Sequence, residues 1–212
     1  NNAICLLVKD VNSPGVTITA QFRAGARFES DSQNGLAHLL EHMIFKGSVN
    51  TPDPKELAFK IENLGASVNA WTSQELTGYH ISGPKFNISK MIDFLSEMLM
   101  RPLFQDKELE KEKRVIIEEI KMYEDHPQEK VADEFLAALF PNHPLGRNIA
   151  GSISSLHKLK TKDCKSFMGK YYSANNLLMI VAGDFDVDKT FDHLNKTFGL
   201  WSSHDIYEGE DF

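Results

Sequence analysis

Thirteen residues, Gly35 to Gly47, read GLAHLLEHMIFKG and constrain the fold more than any other stretch. Read as a helix, they place His38 and His42 one turn apart on one face, with Glu41 beside them. Leu36, Leu39, Leu40, Met43 and Ile44 supply an apolar side, so this helix belongs against a core. Gly47 after Lys46 is a normal helix stop with a cation in the last turn. Two readings compete for the polar residues. A single histidine in an apolar helix is more often a hydrogen-bonded core residue than a ligand. Two histidines and a glutamate on one face are harder to dismiss, because burying three polar side chains without partners costs on the order of 1–3 kcal/mol each. A zinc ion shared by two imidazoles at i and i+4 removes that cost, and the metal reading is preferred.

Composition narrows the partners. A chain of 212 residues fits one large domain or two small ones, and 42% hydrophobic with 25% charged residues is ordinary for a globular protein. The net charge of −7 and the lack of a Lys/Arg-dense run argue against nucleic acid or an anionic membrane as the main partner. No stretch approaches the ~20 apolar residues of a membrane span. Cys5 and Cys164 fit no zinc spacing and read as buried or idle thiols. The chain starts Asn-Asn and runs at once into an apolar strand, so an upstream segment is expected to have been removed or left out.

In chain order, Ala3 to Val8 reads as a buried strand and Val16 to Phe22 as an alternating one, joined by a turn at Asn12 to Gly15. After the histidine helix, Asp53-Pro-Lys-Glu56 has the form of a capping box opening a helix to about Leu64. Ala66 to Trp71 and Thr77 to Ser82 read as a hairpin, and Asn87 to Met100 as an amphipathic helix. Asp106 is read as the cap of a long helix to about Glu124, which Pro127 breaks before helical pattern resumes from Gln128 to Phe140. Pro141 to Asn148 is a loop, Thr161 caps a helix to Tyr172, Leu177 to Ala182 is a buried strand, and Asp186 caps a helix to Phe198. The acidic stretch 201–212 lacks periodicity and reads as a linker or tail. The expected class is α+β, with a mostly antiparallel sheet and helices packed on one face.

A catalytic zinc takes three protein ligands and leaves one position open. The long helix offers Glu118 and Glu119. Glu118 shares its face with Lys111, Arg114, Lys121 and Met122, largely a solvated charge stripe. Glu119 shares its face with Glu112, Val115, Ile116 and Tyr123, an apolar stripe carrying two carboxylates two turns apart. A carboxylate on a buried face needs a partner, so Glu119 is chosen as third ligand and Glu112 as a nearby acid; the competing reading makes both ordinary exposed helix glutamates.

His38-Leu-Leu-Glu41-His42 is the inverted H-x-x-E-H motif, and Glu119 follows His42 by 77 residues. With EKRVIIEEIKMYEDHP, GASVNAWTSQELTGY and YYSANNLLMIVAGD, these stretches resemble the pitrilysin/insulinase family of zinc peptidases, close to the mitochondrial processing peptidase type and its bacterial relatives. The resemblance spans roughly residues 3 to 200. It implies a metalloendopeptidase with one Zn2+ per chain held by His38, His42 and Glu119, and Glu41 as general base. Glu112 would orient a ligand or tune the metal. Asn69, Ala70 and Trp71 would lie on a sheet edge where an extended peptide adds as a strand, although Asn69 also reads as an ordinary strand-end residue. The resemblance further implies a catalytic domain over 1–200, with 201–212 leading to an absent second half. That half would be in the same chain or in a partner chain, a second copy included, and efficient turnover would need it. A non-catalytic scaffold subunit of the same fold is the alternative, and four intact motif residues argue against it. A bacterial cytoplasmic location is expected first, with periplasm or mitochondrial matrix as alternatives.

Overall fold

The computed structural model describes residues 1–205. Alternation sets the layering. In β2 (Val16–Phe22) and β5 (Leu177–Gly183) every second residue is buried and those between are half-buried. With β1 (Ile4–Lys9), β3 (Ser67–Thr72) and β4 (Thr77–Gly83) they form one sheet in the order β1-β5-β2-β4-β3. Only β1 and β5 pair in parallel; the other three pairings are antiparallel. Register aligns Ile81, Ile18 and Val181 as one fully buried row, against which the helices build the core. This is the α+β arrangement expected from the pattern.

The helices are α1 (Leu36–Ile44), α2 (Pro54–Asn63), α3 (Ile88–Met100), α4 (Asp106–Glu124), α5 (Pro127–Leu139), α6 (Ile153–Lys158), α7 (Thr161–Tyr171) and α8 (Val187–Lys196). Helix α1 is the central one, packed on both α4 and α7 and reaching β3. Six of its nine residues are buried, as the apolar run requires.

Several local expectations are corrected. The first strand is not a buried one: β1 lies at the sheet edge, with Ile4 66%, Leu6 50% and Val8 46% exposed. An apolar run shows that residues favour burial but not which neighbour covers them. Asp106 and Thr161 do not cap their helices; Gln105 and Lys160 occupy those positions, each one residue earlier. The two side chains instead bond one another at 2.7 Å, tying together the starts of α4 and α7. Asp53 caps α2 through the Lys55 N–H, but Glu56 pairs with Lys60 at 3.7 Å rather than completing a capping box. Helix α8 stops at Lys196, and a 3-10 turn, Phe198–Leu200, carries the chain past Gly199. Helix α6, unanticipated, is opened by reciprocal Ser152 and Ser155 bonds. Of the stretch read as a tail, Trp201 meets Phe22 edge-on at 5.6 Å and His204 accepts from Asn175; residues 206–212 lie outside the described residues.

Two glycines give opposite expectations. Gly35 precedes α1 with φ of 95°, and a Cβ there would lie 2.6 Å from the Ala150 carbonyl oxygen. Gly35→Ala should cost about 2 kcal/mol or more. Gly169 sits within α7 with open space around it, so Gly169→Ala should stabilise by up to about 1 kcal/mol. Urea midpoints of the two variants, moving in opposite directions, check this.

Candidate metal centre

Helix geometry brings the two imidazoles of α1 to 4.7 Å between ring centres, nearly perpendicular. Glu119, on the facing helix α4, points its Oε2 between them, 3.9 Å from His38 Nε2 and 3.6 Å from His42 Nε2. These distances are too long for hydrogen bonds. They are close to the roughly 3.4 Å between ligand atoms that a tetrahedral zinc with 2.0–2.2 Å bonds imposes. Three donor atoms lie within 4.8 Å of one another, and no other such group of His, Cys, Asp and Glu occurs among the described residues. Two imidazole nitrogens and one carboxylate oxygen are a donor set suited to zinc, so the residues present fit the ion.

The surroundings prepare the donors. His42 Nδ1 lies 3.1 Å from Glu112 Oε2, which fixes the tautomer and leaves the Nε2 lone pair facing Glu119. Glu112 is itself held by Lys46 Nζ at 2.9 Å. Burial pulls the Glu112 carboxyl up, but the hydrogen bonds from His42 and Lys46 outweigh it and leave its pKa below the usual range. His38 is pushed down to about 4, first by burial and then by the charge of His42, so it is neutral at ordinary pH. Its Nδ1 is buried without a hydrogen-bond partner. A proton on Nδ1 leaves Nε2 free for a metal.

Glu41 leans away from this cluster. Its Oε2 accepts from Thr72 Oγ1 at 2.5 Å, at the end of β3. Burial raises its pKa, against the pull of Thr72 and His42, and the Glu119 carboxylate adds to the rise. A cavity of about 380 Å3 opens over His38 and Glu41, walled by Ala70, Trp71 and Thr72 on one side and Asn148 to Ala150 on another. A second cavity of about 560 Å3 shares Tyr123, Asn148 and Ala150 and extends the groove away from the donors.

The structure thus brings together His38, His42 and Glu119, sets Glu112 behind His42, and places Glu41 beside them. Glu118, rejected from its charged face, points outward to Lys121 at 2.7 Å. The reason given for Glu119 needs correction: Val115 and Tyr123 are exposed, and the buried stripe of α4 runs Leu109, Glu112, Lys113, Ile116. Asn69, Ala70 and Trp71 do lie on the edge strand β3. The Ala70 N–H is bonded to Asn69 Oδ1 at 2.9 Å, not to β4. Trp71 lies across Gly78, where a Cβ would come 2.6 Å from its ring. Two partners went unread in the sequence, Thr72 for Glu41 and Lys46 for Glu112. Lys46, four residues after His42, carried a usable signal; Thr72 carried none. Cys5 and Cys164 are free, as expected. No described helix is long and apolar enough to cross a membrane.

Comparison with known proteins gives a consistent picture. The family described as Insulinase (Peptidase family M16) matches residues 5–152, and the one described as Peptidase M16 inactive domain matches residues 158–211. The chain is 35% identical to the "Uncharacterized zinc protease YmxG" of Bacillus subtilis over 188 residues, 89% of this chain and 46% of that protein. It is 32% identical to the beta subunit of the mitochondrial-processing peptidase of Dictyostelium discoideum, over 89% of this chain and 39% of that one. The fold of pitrilysin superposes with a TM-score of 0.89 at 24% identity, over the whole of this chain and 23% of the other. The chain therefore spans less than half the length of these relatives.

Two measurements test the centre. Glu112→Gln should weaken zinc binding about 10- to 100-fold, read by chelator competition. In the metal-free chain the lowered His38 pKa makes the unfolded state bind more protons. The His38 contribution to stability should then fall, by on the order of 3 kcal/mol, as pH drops from about 6.5 to about 4, while Glu29, pushed up to about 7 by burial, acts in the opposite direction. Urea titrations of the wild type and His38→Ala across that window isolate the His38 part, as a difference between the two that shrinks by that amount as pH falls.

Proposed function

The chain belongs to the insulinase family of metallopeptidases, peptidase family M16, and from that premise we propose that it is the metal-binding part of a zinc endopeptidase. The observation that carries this reading is the convergence of His38, His42 and Glu119 on one point, with Glu41 beside them on the same cavity. Zinc held there by those three residues would supply a Lewis acid and lower the pKa of a water in the open position to roughly 7.

The chain's own residues supply the rest. Thr72 occupies Oε2 of Glu41, which leaves Oε1 to take a proton from the attacking water and return it to the leaving amine. Burial makes Glu41 a stronger base than an exposed carboxylate. An extended peptide would add along β3, and Asn69 would release the Ala70 N–H to it. Main-chain pairing of that kind selects flexible or unfolded segments over particular sequences.

The reading includes one zinc per chain and a second homologous half, in the same protein or a partner, for full turnover. It also retains a bacterial cytoplasmic location as the first expectation. The scaffold alternative draws on the match to the inactive domain. That match covers residues 158–211, which contain none of His38, Glu41, His42 and Glu119. All four fall within the segment matched by the insulinase family, which favours the enzyme.

Zinc content and peptide cleavage, measured together on the wild type and Glu41→Gln with the second half supplied, test the proposal. One zinc in each, with cleavage reduced at least 1000-fold in Glu41→Gln, is expected. Zinc without cleavage in either would favour the scaffold, and absence of zinc from the wild type would return these residues to the core. Thr72→Val should lower kcat about tenfold with KM unchanged, and Thr72→Ser should retain most of it.

A further inference from the structure

Glu29 is a buried carboxylate, 5% exposed, that the proposed chemistry does not use. It follows the 3-10 turn Ala26–Phe28 and stands six residues before Gly35, the N-cap of α1. Its Oε1 accepts the Ala37 N–H at 2.7 Å, and its Oε2 accepts the Gly35 N–H at 2.9 Å and Asn34 Nδ2 at 3.1 Å. The first turn of a helix leaves N–H groups without intrahelical partners, and a side chain at the N-cap usually takes one. Gly35 has no side chain and has no room for one, since Ala150 O stands 2.6 Å from where its Cβ would be. Glu29 does this work from outside the helix; burial pushes its pKa up to about 7, against these same bonds, so the ionised form that the helix dipole favours is fully present only above that pH.

Its backbone is also fixed. Arg147 Nη1 donates to the Glu29 carbonyl at 2.7 Å, and the same guanidinium pairs with Asp31. Tyr171 OH donates to the neighbouring Phe28 carbonyl at 3.2 Å. Asn34 carries the connection onward, donating to Asn148 O at 3.0 Å, in the loop that walls the cavity over His38. One carboxylate therefore joins the helix bearing the metal-facing imidazoles to the opposite wall of the cavity.

The geometry points to Glu29 as a positioning residue of the metal centre, a clamp that sets the first turn of α1, and with it His38, against the Asn148–Ala150 wall. This rests on the zinc reading above. Ala37 immediately precedes His38, so a shift of its N–H moves the imidazole relative to His42 and Glu119, whose own placement depends on α4. A side chain that merely stabilised the fold would lower stability and metal affinity together, and this one should separate them.

The test compares Glu29→Gln with Leu194→Ala, a truncation of a buried residue in α8, far along the chain from the centre. Zinc affinity is read by competition with a chromophoric chelator, stability by urea unfolding, and local order by amide exchange at Gly35 and Ala37 in the metal-free chain. Expected is at least tenfold weaker zinc binding and faster exchange at both amides in Glu29→Gln, against zinc affinity within twofold of wild type in Leu194→Ala even where that variant is the less stable. Zinc affinity of Glu29→Gln within twofold of wild type, or weakened no more than in Leu194→Ala, overturns the proposal. If the glutamine variant does not fold, Glu29→Asp takes its place, keeping the carboxyl group but withdrawing it by one methylene. Should the wild type bind no zinc, the metallopeptidase reading fails, and unchanged exchange at Gly35 and Ala37 would overturn the clamp separately.

Discussion

The contact between His42 Nδ1 and Glu112 Oε2, 3.1 Å long, is the interaction on which the arrangement depends. It is the place where α1 meets α4 through polar atoms rather than through packing. Helix α1 is largely buried, so its histidines cannot be left to water. Glu112 satisfies one nitrogen of His42 and thereby decides which way the other faces. Its own burial is offset by His42 and by Lys46, which lies just past the C-cap of α1, Phe45, rather than in its last turn as the sequence suggested, and closes a loop of contacts between the two helices. Once that pair of helices is locked, Glu119, two turns beyond Glu112, has little choice but to face the imidazoles. The donor cluster follows from a second layer that is satisfied first.

Much of this was legible because it is local. The spacing of His38 and His42 is a property of any helix, and the apolar positions around them state that the helix is covered. The choice of Glu119 over Glu118 also came from helical phase. The structure sets Glu119 beside the imidazoles and turns Glu118 to Lys121, although the premises differ, since Val115 is exposed and Lys113 takes the buried position beside Glu112. A long aliphatic stem lets a lysine line a buried stripe while its ammonium reaches Glu110, and sequence phase alone does not reveal it. What was illegible is non-local. Nothing in residues 3 to 9 says that their strand ends the sheet, because that depends on where β5 pairs, 174 residues later, as between Ile4 and Leu178. Nothing near Thr72 or Glu29 announces that each will meet α1. Capping residues were misplaced by one position at α4 and α7 because an acceptor-bearing side chain can serve a neighbouring helix as well as its own, as the bond between Thr161 and Asp106 does.

The free edge of the sheet beside the donors is handled with care. An open strand edge invites pairing with any extended chain. Here Asn69 covers the Ala70 N–H with its own side chain, so that donor is satisfied without a partner and remains available to an acceptor that competes. The same strand ends at Thr72, whose hydroxyl orients Glu41. Strand β3 thus combines an open sheet edge with the contact that orients Glu41, which in the proposed reading seat a peptide and aim the base. A peptide pairing with this edge would meet a carboxylate already turned by the strand it binds, and the scissile bond and the base would share one frame of reference.

Burial acts in the same direction on Glu41 and Glu112, two of the three carboxylates in this small region. Their outcomes nevertheless diverge. Glu112 is held below the ordinary range because His42 and the Lys46 ammonium bond to its charged form. Glu41 is raised because its one close donor is the neutral Thr72 hydroxyl and the Glu119 carboxylate opposes its charge. His38, with burial acting against its cationic form, stays neutral. An acid behind His42 whose ionised form is favoured, a carboxyl over the cavity that burial makes more basic and a neutral imidazole beside it are the states that the proposed metal ligation and proton transfer each require. The difference between the two acids lies in the partners of Glu112, the His42 imidazole first and then Lys46 just past the end of α1, whereas the one close donor of Glu41 is neutral.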